Sequence, residues 1–120
     1  MLIRHQGDMN TAQMENMRGG EGTVRVTHII NPDEMFGKGR LFADNAVPPG
    51  ASIGLHKHEG DSEAYYILEG SGEYQNNDET YTIGAGDLAV VDDGDYHGIR
   101  NTGDVPLRFI ALILFTKERK

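Results

Sequence analysis

The chain has 120 residues, a formal net charge of −8 at pH 7, 16 glycines and no cysteine. That length suits one domain of ordinary size, and the missing cysteines exclude disulfides, thiolate metal sites and thiol catalysis. The acidic balance argues against nucleic acid, whose phosphates reward clustered Lys and Arg, and no apolar run approaches the ~20 residues of a membrane span. MLIRHQGDMN at the N-terminus has no apolar stretch of the secretory kind. A cytoplasmic protein is expected, with neither nucleic acid nor membrane as partner.

Taken in order, the chain starts with a short strand at Leu2 and Ile3. A helical turn is expected from Asn10 to Arg18, where Asn10 and Gln13 resemble a capping pair and Met9, Met14 and Met17 pack as a loose stripe. Gly19, Gly20 and Gly22 break it. Thr23 to Ile30 alternates, with Val24, Val26, His28 and Ile30 on one face. Arg40 to Val47 is the next strand, stopped by Pro48-Pro49-Gly50, which removes two ladder donors. The segments ASIGLHKH, EAYYILEG, SGEYQ, ETYTI, LAVV, YHGIR and LRFIALILF follow, separated by Gly, Asn and Asp turns, and a charged tail TKERK ends the chain. About ten short strands with almost no helix predict an all-β antiparallel sandwich or barrel. The strands TVRVTHII and LRFIALILF are its expected edges, and pairing through them would make a homodimer.

The chemistry concentrates between Gly50 and Gly70. Side chains two apart on a strand share a face, so His56 and His58 present their imidazoles side by side and Glu63 returns on the next strand. Imidazoles with a carboxylate are the donor set of a borderline divalent metal. A second stretch, Gly86 to Asn101, places His97 at the start of a strand just after the tight turn DDGD.

Together the two stretches read G-x5-H-x-H-x4-E-x6-G, at Gly50, His56, His58, Glu63 and Gly70, and G-x5-D-x-G-x2-H-x3-N, at Gly86, Asp92, Gly94, His97 and Asn101. These resemble the two signature motifs of the cupin superfamily, with Asp92 standing where the family usually has proline. The resemblance implies a double-stranded β-helix, or jelly-roll, barrel with a metal near one mouth. It reads residues 1–120 as a single cupin domain, with an N-terminal extension over 1–22, the first metal motif over 50–70 and the second over 86–101. It also carries four ligands onto His56, His58, Glu63 and His97. They would fill four positions and leave two open in an octahedral centre. Manganese is the first expectation, with Fe, Ni, Co or Zn as alternatives.

The chain resembles small cupins of the oxalate-binding or oxalate-decarboxylase-like type, and that resemblance implies a small carboxylate as the ligand. Full oxalate decarboxylases carry an arginine three residues before the first ligand histidine. Here that position is Ile53, which speaks against decarboxylation itself. The alternatives are a metal-dependent dioxygenase, isomerase or cyclase, for which no general base is visible, and a non-enzymatic sensor or storage protein. Tyr65, two residues past Glu63, points inward, either to meet a metal-bound ligand or to sit in the core with its hydroxyl satisfied. Ile53 and Ile99 are read as apolar walls. Among the strand arginines Arg25, Arg40 and Arg108, Arg40 is the candidate for a ligand carboxylate, because its strand leads into the first motif. His28 and His5 have no metal spacing, and Asp61, Asp92, Asp93 and Asp95 read as turn formers.

Overall fold

Alternating apolar and polar residues, punctuated every few positions by Gly, Pro, Asn or Asp, make ten strands and no α-helix among residues 1–117, the part that the computed structural model describes. Residues 118–120 of the charged tail lie outside the described residues. The strands are β1 (Asn10–Glu15), β2 (Thr23–Ile30), β3 (Gly39–Val47), β4 (Ser52–Lys57), β5 (Asp61–Glu69), β6 (Ser71–Asn76), β7 (Glu79–Gly84), β8 (Leu88–Val91), β9 (Tyr96–Asn101) and β10 (Leu107–Phe115). They form a six-stranded sheet, β1-β2-β3-β10-β5-β8, and a four-stranded sheet, β4-β9-β6-β7, antiparallel throughout. The inward residues of both sheets share one core, from Val24, Val47, Leu107 and Phe109 to Ile53, Tyr74 and Ile99. This is the expected jelly roll.

Two expectations fail at the N-terminal end. Leu2 and Ile3 are exposed and in no strand, and Asn10–Glu15 is β1 where a helical turn was expected. The reason is tertiary. Asn10 to Glu15 pair residue for residue with His28 to Thr23, so β2 supplies a ladder that a marginal capping pair cannot outweigh. A 3-10 turn at Met17–Gly19 then reverses the chain, with Asn16, Arg18 and Gly19 at positive φ. The expected edges fail for the same reason. β1 covers β2, and β10 lies between β3 and β5, so the outer strands are β1 and β8 in one sheet and β4 and β7 in the other.

Three register shifts aim side chains at one end of the barrel. On β4, Ile53 faces Ile99 and His56 faces His97, so Gly54 and Leu55 together oppose Gly98. Without that bulge Ile53 and His56, three apart, would point to opposite faces. On β3, Leu41 faces Ile113 while Gly39 faces Leu114, which leaves Arg40 as the extra residue. On β2, Ile29 is extra between the pairs His28–Ala43 and Ile30–Phe42. Gly54 is required where it stands, because a Cβ there would meet the Arg18 carbonyl oxygen at 2.1 Å. The Met17–Gly19 turn thus sits directly on the β4 bulge.

Candidate metal centre

Four side chains from three strand ends converge inside this mouth. His56 comes from β4, His58 follows it immediately, Glu63 lies on β5 and His97 on β9. His58, Glu63 and His97 are buried and His56 is half-buried. Nε2 of His97 lies 3.1 Å from Nε2 of both His56 and His58. Glu63 Oε1 lies 3.1 Å from His58 Nε2 and 3.0 Å from His97 Nε2. All four donor atoms fall within 4.8 Å of one another, a group that can hold a divalent ion. Donors about 2.1 Å from an ion stand about 3.0 Å apart across a right angle and about 3.4 Å apart across a tetrahedral one. The observed edges match the right angle.

Each imidazole is oriented through its other nitrogen. His56 Nδ1–H donates to the Gly54 carbonyl at 2.7 Å, a bond that the β4 bulge creates. His58 Nδ1–H donates to Asp61 Oδ1 at 2.7 Å, and Asp61 Oδ2 in turn accepts from Arg40 Nε at 2.8 Å. His97 Nδ1 pairs with the Tyr74 hydroxyl at 2.9 Å. With carbonyl and carboxylate as acceptors, Nδ1 carries the proton in His56 and His58, and the Nε2 lone pairs are left facing the centre.

The electrostatics suit cation binding. Burial lowers the His56 pKa to about 4 and also lowers that of His97, so both rings are neutral at pH 7. Burial works against the Glu63 carboxylate, but the bonds from His58 and His97 prevail and hold its pKa at about 2. His58 is opposed by burial as well, yet Glu63 and Asp61 raise its pKa overall. For Asp61 the bonds from Arg40 and His58 overcome burial and keep the carboxyl ionised.

Family comparison agrees with this geometry. Residues 45–113 match the Cupin domain family, a stretch that contains all four convergent residues. The chain belongs to the cupin family. It is 44% identical over 114 residues to the oxalate-binding protein of Thermotoga maritima, covering 95% of this cupin and 93% of that protein. An uncharacterized protein of Methanocaldococcus jannaschii is 33% identical over 91 residues, covering 76% and 72% of the two chains. Among solved structures, a predicted oxalate decarboxylase from Thermotoga maritima superposes with a TM-score of 0.90 at 43% identity, over 96% of this cupin and 99% of that chain.

Beside the cluster lies a cavity of about 170 Å³, open at one side, walled by Val26, Leu41, Ile53 and Ile113 and reached by His56, His58 and Glu63. Of the residues that the sequence suggested for ligand contact, three line it. Tyr65 is buried, 2% exposed, beside Glu63, its ring packed at a tilt between His97 and Phe109, and burial and the Glu63 charge push its pKa well up. Ile53 forms part of the wall, and Arg40 is turned to the mouth by its bulge. Ile99 is buried in the core opposite Ile53 and does not line the cavity. Arg25 is exposed, and Arg108 pairs with Asp44 on the outside.

Sequence reasoning missed Asp61, Tyr74, Asn45 and Arg18. Asp61 was legible in one respect, standing three residues past His58 and two before Glu63. Asn45 shares the inward parity of Ala43 and Val47 on β3, where a polar residue is out of pattern. Tyr74 and Arg18 carry no such signal, because their neighbours in space are distant in sequence.

Proposed function

We propose that this cupin holds a divalent metal through His56, His58, Glu63 and His97 and binds a small carboxylate, oxalate-like, at the two coordination positions these residues leave open. The observation that carries the reading is the set of donor contacts at 3.0 to 3.1 Å, with every Nδ1 engaged elsewhere. Three neutral imidazoles and one carboxylate leave a dication with one net positive charge, which favours an anionic ligand. The name of the Thermotoga maritima relative, an oxalate-binding protein, supports the same ligand class. Manganese fits a six-coordinate, thiolate-free set with open positions, as do Fe, Ni and Co, better than a closed structural zinc would, with Zn as a further alternative.

When bound, the metal supplies a Lewis-acidic anchor for carboxylate oxygens. The chain's own residues orient that anchor and wall it from solvent. Glu63 is the only carboxylate lining the cavity among the described residues, and its bonds to His58 and His97 leave it no freedom to act as a general base. That favours binding over turnover.

The same reading takes residues 1–120 as one cupin domain, acting as a cytoplasmic homodimer. Exposed Tyr66, Leu68, Leu88 and Val90 at the β5–β8 end support pairing there. Elemental analysis of purified protein, followed by titration calorimetry of the metal-loaded form with oxalate, tests the central claim. One metal per chain and saturable heat are expected; a metal-loaded protein that gives no heat would overturn oxalate binding.

A further inference from the structure

The four convergent side chains do not share the cavity equally. His56, His58 and Glu63 line it, whereas His97 turns its Nδ1 to Tyr74 and does not. Open space therefore adjoins the cluster on the face that His56, His58 and Glu63 present, and a ligand of the proposed metal arrives from that side. Two guanidinium groups line the same space. Arg18 stands exposed on the Met17–Gly19 turn, with no ion pair or side-chain hydrogen bond among the described residues. Arg40 is tethered.

The tether begins with backbone register. As the extra residue of the β3 bulge, between Gly39 and the inward-facing Leu41, Arg40 reaches the mouth instead of the outer face of the sheet. Its Nε donates to Asp61 Oδ2 at 2.8 Å, and Asp61 Oδ1 holds His58 Nδ1 at 2.7 Å. One carboxylate thus separates the guanidinium from the imidazole of a metal ligand. Asp61 is buried, while the Arg40 side chain is 41% exposed at the rim. A guanidinium that served only to hold a carboxylate would do so best through two parallel bonds. Here a single bond is made, and Nη1 and Nη2 meet no acceptor among the described residues.

We infer that Arg40 selects the charge of the ligand: Nε stays on Asp61, and the free Nη edge receives carboxylate oxygens that the metal leaves uncoordinated. This rests on the proposed metal–carboxylate reading and names the residue that makes it specific for a dianion. Oxalate can chelate an ion through one oxygen of each carboxylate, which leaves two outer oxygens without donors. The planar fork of a guanidinium offers two N–H groups in the matching geometry. Because Asp61 fixes the side chain before the ligand arrives, little rotamer freedom is lost on binding. Arg18, untethered, has no such advantage.

Calorimetry on the manganese-loaded full chain with oxalate and oxamate tests it. Oxamate keeps the chelating shape but carries a neutral amide in place of one carboxylate. The oxalate-to-oxamate affinity ratio is expected to fall about tenfold or more in Arg40→Gln, and by less in Arg40→Lys, which keeps the charge without the fork. Arg25→Gln, exposed on the outward side of β2, makes the same change in net charge and is expected to leave the ratio within about twofold. Manganese affinity is read separately with a chelating dye, so a loss that acts only through Asp61 and His58 shows there and cancels in the ratio. A ratio unchanged in Arg40→Gln, with or without weaker manganese binding, overturns the inference and leaves Arg40 as a support for Asp61. An equal fall in Arg25→Gln overturns it too. No heat from oxalate on the manganese-loaded parent chain overturns the carboxylate reading itself, and this inference with it.

Discussion

Asp61 Oδ1 lies 2.7 Å from Nδ1 of His58, and both residues are buried at 2% exposure. A carboxylate on the far nitrogen fixes the tautomer and ring angle of an imidazole and raises the basicity of the nitrogen that faces the metal. Arg40 holds Asp61 in turn. Asp61→Ala should therefore weaken metal binding by about 10- to 100-fold while the fold persists. Competition with a chelating dye reads this directly, and an unchanged affinity would remove Asp61 from the site.

Gly54 makes a second prediction. A Cβ there would stand 2.1 Å from the Arg18 carbonyl oxygen and 2.9 Å from the Gly20 amide nitrogen. Both are backbone atoms, so the Met17–Gly19 turn must lift or the bulge must shift. Gly54→Ala should cost about 1–3 kcal/mol of stability and also weaken metal binding, because the Gly54 carbonyl orients His56. Gly50→Ala is the control, since nothing lies near its Cβ and its only strain is the positive φ. Denaturant unfolding of both variants checks the ranking, and equal losses would contradict it.

The metal-free protein should lose stability on acidification in two stages. Folded His56 titrates at about 4 against 6.5 when unfolded, so between those values the unfolded chain binds more protons and stability falls with pH. His97, lowered too, adds to this; His58, raised, opposes it with stability that is full below 6.5 and lost above its folded pKa. Glu63 then contributes from 4.5 down to about 2, where the unfolded carboxylate takes up protons that the folded one refuses. Melting temperatures of chelator-treated protein at pH 7, 5.5 and 4 should decline in that order, and His56→Asn should flatten the upper stage. A flat profile in the parent chain would contradict these shifts.

Metal removal should lower the melting temperature. An ion that binds only the folded state adds about 2.7 kcal/mol at a hundredfold excess over its Kd, several degrees for a domain of this size. Adding a chelator and then excess manganese should lower and restore the transition, and His97→Ala should abolish the response. A transition that ignores both additions would count against a metal centre.

Much of the fold was legible along the chain. Thr23–Ile30, read from its alternation, and Leu88–Val91 and Leu107–Phe115, read as apolar segments between turns, are strands with the expected bounds. Asn10–Glu15 was not, because a polar segment carries no alternation and becomes a strand only through the ladder that β2 offers. That misreading also left β2 as an expected edge, while β10, the other expected edge, lies between β3 and β5. At the site, the cluster of His56, His58, Glu63 and His97 followed from the resemblance of the two motifs to those of cupins. Its supports did not: Tyr74 is 23 residues from His97, and nothing local marks the two as partners.

By itself, then, the sequence determined an all-β chain with two histidine-bearing motifs, since periodicity and spacing are properties of single strands. Only the tertiary structure decided that Ile53 and His56 share a face, because a bulge exists only relative to the strand opposite, here β9. It also decided that Arg18 and Asn45 end in the cavity beside the cluster, and that Asp61 serves His58 where turn formation alone was expected. These are contacts between segments brought together by sheet pairing, and pairing partners are chosen by the whole fold.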